Sequence, residues 1–209
     1  GNNYNIRIEG TRIKHSMGKN SIKMYDKFSK ILRIETTTND VSFFKHYREV
    51  VHKNGTHSKK LAGLKKNIYS LPLLMISLKA SNKRYIEFIS AIGNNNNGRK
   101  RLERISQSKI VNERKYKGFN LFDKNDLDIL LTILRGEFNI YGFKNKDVRK
   151  ILPFLSSGKV SRLLRRLRSH GLIKRVAKTY KYYITKLAKE TILLGEKIKE
   201  MVMVPALNY

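Results

Sequence analysis

The sequence contains no cysteine, few acidic residues and no long apolar run. Without cysteine, disulfide-bonded scaffolds, thiolate zinc fingers and cysteine nucleophiles are excluded. The longest apolar stretch, Leu71–Leu78, is too short to span a bilayer, so we expect no membrane partner. The start of the chain lacks a basic segment followed by an apolar run, which predicts a cytoplasmic protein without a signal peptide. A first residue other than Met is consistent with a fragment of a longer chain.

Acids are scarce relative to bases, because 16 Asp and Glu accompany 45 Lys and Arg and the formal net charge is +29. With 40% hydrophobic residues, this composition indicates a folded basic protein rather than a disordered basic tail. The segment Val148–Lys189 contains thirteen Lys or Arg and no acid, and Val50–Ile86 contains eight and no acid. Acids normally intersperse a solvated face, so their absence favours a surface that binds a polyanion. Part of the Lys and Asn usage is also consistent with an AT-rich genome.

The N-terminal residues 1–66 have the pattern of strands and turns. The sequence predicts a hairpin that turns at Gly18-Lys19-Asn20, a strand over Ile31–Thr38, and a further hairpin from Phe43 that turns near Asn54-Gly55. We therefore predict a basic, β-rich region.

The middle of the chain, residues 67–122, has a helical pattern. From Pro72, apolar residues recur at helical spacing up to Gly93. Asn94–Gly98 predicts a turn, Arg99–Gln107 a short basic helix, and Lys115–Gly118 a polar connector.

The C-terminal residues 123–209 predict three helices, a hairpin and a closing helix. Asn125 is the expected N-cap of the first helix, and a second helix begins after Asn145 and ends at Pro153. Ser156 or Ser157 caps the third helix, whose apolar positions follow the i, i+3, i+4, i+7 spacing and are Val160, Leu163, Leu164 and Leu167. Residues 172–184 predict a short hairpin, and Thr185 caps a final helix to about Val204.

This order of elements describes a winged helix-turn-helix. The stretch 160–175, VSRLLRRLRSHGLIKR, followed by Tyr183-Ile184-Thr185, resembles the recognition helix and wing of MarR-like regulators. Residues 119–206 also resemble the C-terminal end of a family of uncharacterised bacterial proteins, in which a winged helix follows a β-rich part. The resemblance implies an α+β protein with a C-terminal domain that binds double-stranded DNA, and a cytoplasmic, nucleoid-associated location.

The third helix has two chemically distinct sides. Its apolar residues cluster on one side, and the cations and one hydroxyl are predicted on the other side and its flanks, namely Lys159, Arg162, Arg165, Arg166, Arg168 and Ser169. Such a helix fits the major groove, where arginine can bond bidentately to guanine. In the hairpin, the predicted contacts to the DNA backbone come from Lys174, Arg175, Lys178 and Lys181. The alternatives are an exposed basic helix without a ligand and a winged helix that binds a protein.

A catalytic alternative involves the N-terminal strands. Tyr25-Asp26-Lys27, followed by Leu32-Arg33-Ile34-Glu35, is similar to a strand pair of rolling-circle replication initiators. That similarity implies a nickase with Tyr25 as nucleophile and with Asp26 and Glu35 as Mg²⁺ ligands. The metal-binding His-hydrophobic-His triplet of such enzymes is missing, so ordinary strand structure is the favoured interpretation and no cofactor is expected.

Two further hypotheses remain open. Basic strands with the aromatic residues Phe43, Phe44, Tyr47 and Tyr69 could stack the unpaired bases of an RNA. The closing helix carries the apolar residues Ile192, Leu193, Ile198, Met201 and Val202, which fit either its own domain or a homodimer interface.

The sequence contains no phosphate-binding glycine loop and no Gly-x-Ser-x-Gly elbow.

Overall fold

A computed structural model describes residues 2–7, 10–28, 30–90 and 98–200. The chain is a mixed α and β protein, with a β region at the N-terminus and helices after it. It forms two compact units, one comprising Gly1–Ile86 with Asn139–Tyr141, the other comprising Glu87–Phe138 and Gly142–Tyr209. The predicted boundaries after residues 66 and 122 do not coincide with this division.

The first unit contains an antiparallel sheet in the sequential order β1-β2-β3-β4. Its strands are β1 (Asn2–Arg7), β2 (Gly10–Met17), β3 (Asn20–Lys27) and β4 (Ile31–Thr38). The predicted hairpin is confirmed, and Gly18 in its turn has a φ of 60°, a left-handed conformation that glycine adopts without a steric penalty. The predicted strand over Ile31–Thr38 is also confirmed.

A second hairpin and a long helix complete this unit. The hairpin pairs β5 (Lys45–Val51) with β6 (His57–Gly63), as the sequence predicts. Short 3-10 helices occupy Val41–Phe43 and Ile68–Ser70, and α1 (Leu71–Ser90) belongs to the first unit up to Ile86.

Hydrogen bonds between α1 and the strands explain why the unit extends past residue 66. The Tyr85 hydroxyl lies 2.9 Å from His15 Nε2, and the Thr36 hydroxyl donates to Asn82 Oδ1 at 2.8 Å. Tyr85 is only 1% exposed, and burial raises its pKa to about 12. These contacts join residues far apart in the sequence, so the helical pattern of α1 alone could not assign it to the strands that precede it.

The second unit begins with elements that the sequence analysis placed in a separate middle segment. These are α2 (Gly98–Ser106) and a hairpin of β7 (Lys109–Val111) and β8 (Arg114–Tyr116). The short basic helix is confirmed approximately, but the hairpin replaces part of the expected polar connector. The predicted turn at residues 94–97 lies outside the described residues.

The remaining elements of the second unit follow the predicted order. They are α3 (Lys124–Leu134), α4 (Phe138–Tyr141, of which Asn139–Tyr141 cluster with the first unit), α5 (Asn145–Ile151), α6 (Ser157–Ser169), β9 (Ile173–Arg175), β10 (Tyr182–Ile184) and α7 (Lys186–Ile198). The N-cap of α3 is Asp123 rather than Asn125, because the Asp123 carboxylate accepts the Asp126 N–H at 2.9 Å. The short helix α4 was not predicted. Residues 201–209, which include Met201 and Val202, lie outside the described part.

A β-bridge connects the loop after α4 to the hairpin of β9 and β10. Phe143 and Tyr182 exchange two backbone hydrogen bonds, of 2.9 and 2.8 Å. Gly142 precedes the bridge with a φ of 74°, and a Cβ there would lie 2.5 Å from the Tyr182 carbonyl oxygen. The close approach of the two backbones therefore requires glycine. In the described ranges, no helix is long and apolar enough to cross a membrane.

Candidate nucleic-acid interface

Helix α6 has well-defined ends and a buried apolar side. The Ser156 hydroxyl accepts the Lys159 N–H at 3.3 Å as the N-cap, and Gly171 follows the last turn with a φ of 73°. The predicted burial of its four apolar residues is confirmed for Val160, Leu163, Leu164 and Leu167. The apolar side packs into the unit, so the opposite side of α6 is left for solvent or a ligand.

Helix α5 is held against the beginning of α6 by one side chain. The Asn145 amide donates to the Ser157 carbonyl oxygen and to the Ser161 hydroxyl, both at 2.9 Å. Asn145 is the first residue of α5, so these bonds join the N-terminal turns of the two helices. They help to fix the orientation in which α6 presents its exposed side.

The exposed side of α6 carries four cations. Lys159, Arg162, Arg165 and Arg168 are all exposed, and they recur every three residues along the helix. At about 100° per residue, Arg162 and Arg165 point away from the buried leucines, whereas Lys159 and Arg168 lie toward the two edges of that face. These four side chains therefore form one exposed cationic row on α6, and their contact with DNA stays a prediction.

Arg166 does not belong to this row, which corrects the sequence-based prediction. Its Nη1 and Nη2 bond bidentately to Asp126 at 2.8 and 2.9 Å, and its Nε donates to the Lys117 carbonyl oxygen at 2.9 Å. Its guanidinium also donates to the Gly118 carbonyl oxygen and lies 3.8 Å from the centroid of the Phe119 ring. Arg166 is therefore a structural residue that joins α6 to α3 and to residues 117–119.

The position of Arg166 on the helix could have indicated this role. It lies about 60° from Leu163 around the helix axis, nearer to the buried side than either Arg162 or Arg165. The identity of its partners depends on Asp126, which is forty residues away. The helical pattern contains no information about such a distant contact.

Ser169 and His170 end α6 in partly or fully buried positions. The Ser169 hydroxyl donates to the Arg166 carbonyl oxygen at 2.8 Å, so it contributes to the helix end as well as to the surface. His170 is 2% exposed, and its Nε2 lies 3.0 Å from the Lys117 carbonyl oxygen. Burial, followed by repulsion from Arg166, lowers the pKa of His170 below 6.5, although the bond to Lys117 opposes this shift.

The hairpin of β9 and β10 presents the exposed cations Lys174, Arg175 and Lys178. Arg175 Nε donates to the Thr179 carbonyl oxygen at 2.6 Å, and its guanidinium lies 5.2 Å from the centroid of the Tyr180 ring. Arg175 thus stabilises the hairpin tip, and it lines a groove together with Lys174, Lys178 and Arg168. Lys181, also predicted as a contact, is half-buried, and its backbone N–H donates to Thr179 Oγ1 at 3.1 Å.

The cations of the β7–β8 hairpin were not predicted from the sequence. Lys109 and Arg114 are exposed and line a groove with Arg165 and Arg168. The signal was the dipeptide Asn112-Glu113 between two short runs, since asparagine is favoured in two-residue hairpin turns. Glutamate in place of the usual glycine weakened that signal.

The N-terminal strands do not assemble the nickase site. In the β3–β4 register, Lys23 lies opposite Glu35 and Asp26 lies opposite Leu32. Side chains alternate between faces along a strand, so Tyr25 and Glu35 share one face and Asp26 lies on the other. The Arg33 guanidinium also pairs with Glu35 at 2.6 Å. The two carboxylates therefore lie on opposite faces of the sheet and do not converge on one Mg²⁺ ion.

Within the described ranges, no group of three or more His, Cys, Asp or Glu side chains could hold a metal ion.

The aromatic residues of the first unit divide into two classes. Phe44 is 1% exposed, and the Phe43 ring lies 4.4 Å from the Tyr141 ring, so both phenylalanines pack within the unit. Tyr47 and Tyr69 are exposed by 62% and 88%. The proposed base-stacking surface is thereby reduced to two tyrosines.

Helix α7, which was predicted to pack either on its own domain or in a homodimer, packs one apolar residue inside its own unit. Ile192 on α7 is fully buried, and its neighbour Glu190 pairs with Arg101 of α2 at 2.5 Å. Leu193 and Ile198 are half-buried. The homodimer stays a prediction.

Comparisons with known proteins give no match: no family model, no curated protein and no solved structure is similar to the chain.

Proposed function

We propose that this protein binds double-stranded DNA through the exposed side of α6, as the recognition helix of a winged helix-turn-helix. The observation that carries the proposal is the division of α6 into a buried apolar side and an exposed row of Lys159, Arg162, Arg165 and Arg168. A helix that enters the major groove needs a rigid apolar attachment and a cationic front.

The hairpin of β9 and β10 supports this assignment. It follows α6 directly, and it is tied to the loop after α4 by the Phe143–Tyr182 bridge. In a winged helix, such a hairpin is the wing that contacts the DNA backbone beside the recognition helix. The exposed Lys174 and Lys178 are suited to phosphate, because the lysine ammonium is a compact point charge.

The distribution of charge favours a polyanionic partner over a neutral one. Segment 148–189 contains no acid, and among its cations Arg166 is paired with Asp126, so an external anion would relieve the repulsion among the exposed ones. A DNA duplex provides a regular array of phosphates for these cations. Binding to chromosomal DNA would place the protein at the nucleoid, as a regulator or as the DNA-docking part of a replication or mobile-element protein.

The test compares labelled duplexes selected from a random pool with unselected duplexes, by fluorescence anisotropy at several salt concentrations. Arg162→Ala or Arg165→Ala should cost about 1–3 kcal/mol on the selected duplex and reduce sequence preference. Lys178→Ala should weaken binding to all sequences alike, with a salt slope shallower by about one unit.

Arg104→Ala is the matched control, because Arg104 is an exposed arginine on α2 of the same unit. If Arg162→Ala and Arg165→Ala bind both duplexes as tightly as this control, α6 does not read DNA. Tighter binding to single-stranded RNA than to duplex, together with a loss on Tyr47→Ala or Tyr69→Ala, would favour the RNA hypothesis.

A further inference from the structure

The β7–β8 hairpin and the second half of α6 enclose a groove of about 580 Å³. Its lining includes Lys109 and Arg114 from the hairpin, and Arg165 and Arg168 from the helix. All four are exposed, and none of the described residues that line this groove is acidic. Four like charges around one groove repel each other unless an anion lies between them.

The hairpin register explains why the cations face the groove. Lys109 pairs with Tyr116 and Val111 pairs with Arg114, so these four side chains share one face. Ile110 pairs with Lys115 on the opposite face. The groove lining contains the first set and neither member of the second. The alternation along the strands therefore directs Arg114 toward α6 and Lys115 away from it.

Hydrogen bonds hold the hairpin in place beside the helix. The carbonyl oxygen of Lys117, the residue after β8, accepts from Arg166 Nε at 2.9 Å and lies 3.0 Å from His170 Nε2. The Phe119 N–H donates to the Ile105 carbonyl oxygen at 2.7 Å. The chain that follows β8 is thus bonded to α6, to His170 and to the end of α2, which precedes β7, and these bonds place the hairpin beside α6.

The chemistry of the lining suits phosphodiester groups. Arginine offers a planar fork of donors to phosphate oxygens, and lysine offers a mobile point charge. Asn112 and Tyr116 add neutral polar groups of the kind that contact phosphate and sugar. Arg168 also lines the groove formed with the β9–β10 hairpin, so the two cationic grooves share a residue.

We propose that this groove binds the phosphate backbone of the DNA, so that the β7–β8 hairpin is a second backbone clamp beside α6. This inference rests on the proposed function, because it assumes that α6 engages a duplex. The hairpin cations of the clamp, Lys109 and Arg114, contribute affinity and no sequence preference, since phosphate contacts carry no base information.

The experiment measures duplex affinity against salt for Lys109→Ala and Arg114→Ala. Each variant should bind selected and random duplexes more weakly by the same factor, and the slope of log K against log salt should become shallower by about 0.9 for each lost phosphate contact. Lys115→Ala is the matched control, because it removes one charge from the same hairpin but from the opposite face. Its affinity and its slope should stay closer to those of the wild type.

The possible results separate this inference from the proposed function. If Arg162→Ala loses affinity while Lys109→Ala and Arg114→Ala behave like Lys115→Ala, the clamp is refuted and DNA binding by α6 stands. If the wild-type protein binds no duplex, both proposals fail. A loss confined to the selected duplex in Arg114→Ala would overturn the clamp as well, because it would indicate a base contact. Circular dichroism of each variant should confirm that the fold is retained.

Discussion

Arg165 and Arg166 are neighbours in sequence, but the structure gives them opposite roles. Arg166→Ala would leave the Asp126 carboxylate with the Asn120 N–H, at 3.0 Å, and without its bidentate partner. It would also remove the donors to the carbonyl oxygens of residues 117 and 118 and the cation above the Phe119 ring. The side chains of Arg166 and Asp126 are only 19% and 10% exposed, so water replaces these contacts incompletely.

The magnitude follows from the type of contact. Removal of one partner from a buried ion pair costs about 3–5 kcal/mol. Because part of the Arg166 side chain reaches solvent, we expect Arg166→Ala to lower the free energy of unfolding by about 3 kcal/mol, at the lower end of that range. Arg165 is exposed, so Arg165→Ala should change this free energy by less than about 0.5 kcal/mol.

Urea denaturation followed by circular dichroism measures both variants, with duplex binding measured where each is folded. Arg165→Ala should lose duplex affinity and keep its stability, and Arg166→Ala should show the reverse. Arg166→Lys should recover only part of the stability, because lysine provides neither the bidentate fork nor the planar group above the ring. A wild-type urea midpoint for Arg166→Ala, combined with a loss of duplex affinity equal to that of Arg165→Ala, would refute this assignment.

Three further substitutions test other parts of the second unit. Glu113→Gly should stabilise the protein by about 0.5–1 kcal/mol in urea denaturation, because Glu113 has a φ of 60° in the β7–β8 turn. Gly142→Ala should destabilise it by about 2 kcal/mol or more, since the new Cβ would approach the Tyr182 carbonyl oxygen. His170→Gln should remove a pH dependence: burial keeps the folded pKa of His170 below 6.5, so wild-type stability should fall as the pH drops below 6.5.

Each of these has a direct control. Asn112→Gly in the same turn should stabilise less than Glu113→Gly, because asparagine tolerates a positive φ, and an equal gain would argue against the strain at Glu113. Gly158→Ala is the control for Gly142→Ala, since a Cβ at Gly158 meets open space. The proposed burial effect at His170 is wrong if the stability difference between wild type and His170→Gln is the same at pH 7.5 as below pH 6.

Local sequence patterns predicted most helices and strands. They did not predict features that depend on contacts between residues far apart in the sequence. The ends and buried side of α6 were predictable, because caps and apolar spacing act within a few residues. The inward position of Arg166 and the placement of α1 with the N-terminal strands depend on partners tens of residues away. The β7–β8 hairpin was missed for a third reason, since its three-residue strands are too short to show a period.

Many acidic residues of the second unit form contacts within the fold. The exposed surface of the unit therefore has a larger excess of cations over acids than its composition alone indicates. Several of these acids are buried or bonded within the fold: Asp126 pairs with Arg166, Glu190 pairs with Arg101, and the Asp147 carboxylate accepts the Lys144 N–H at 2.9 Å. An acid used inside the protein cannot neutralise an exposed cation elsewhere. Arg162 therefore remains exposed, and Arg165 and Arg168 remain exposed in a groove without an acid in its lining. This use of acids stabilises the fold and leaves the cations of α6 available to a polyanion.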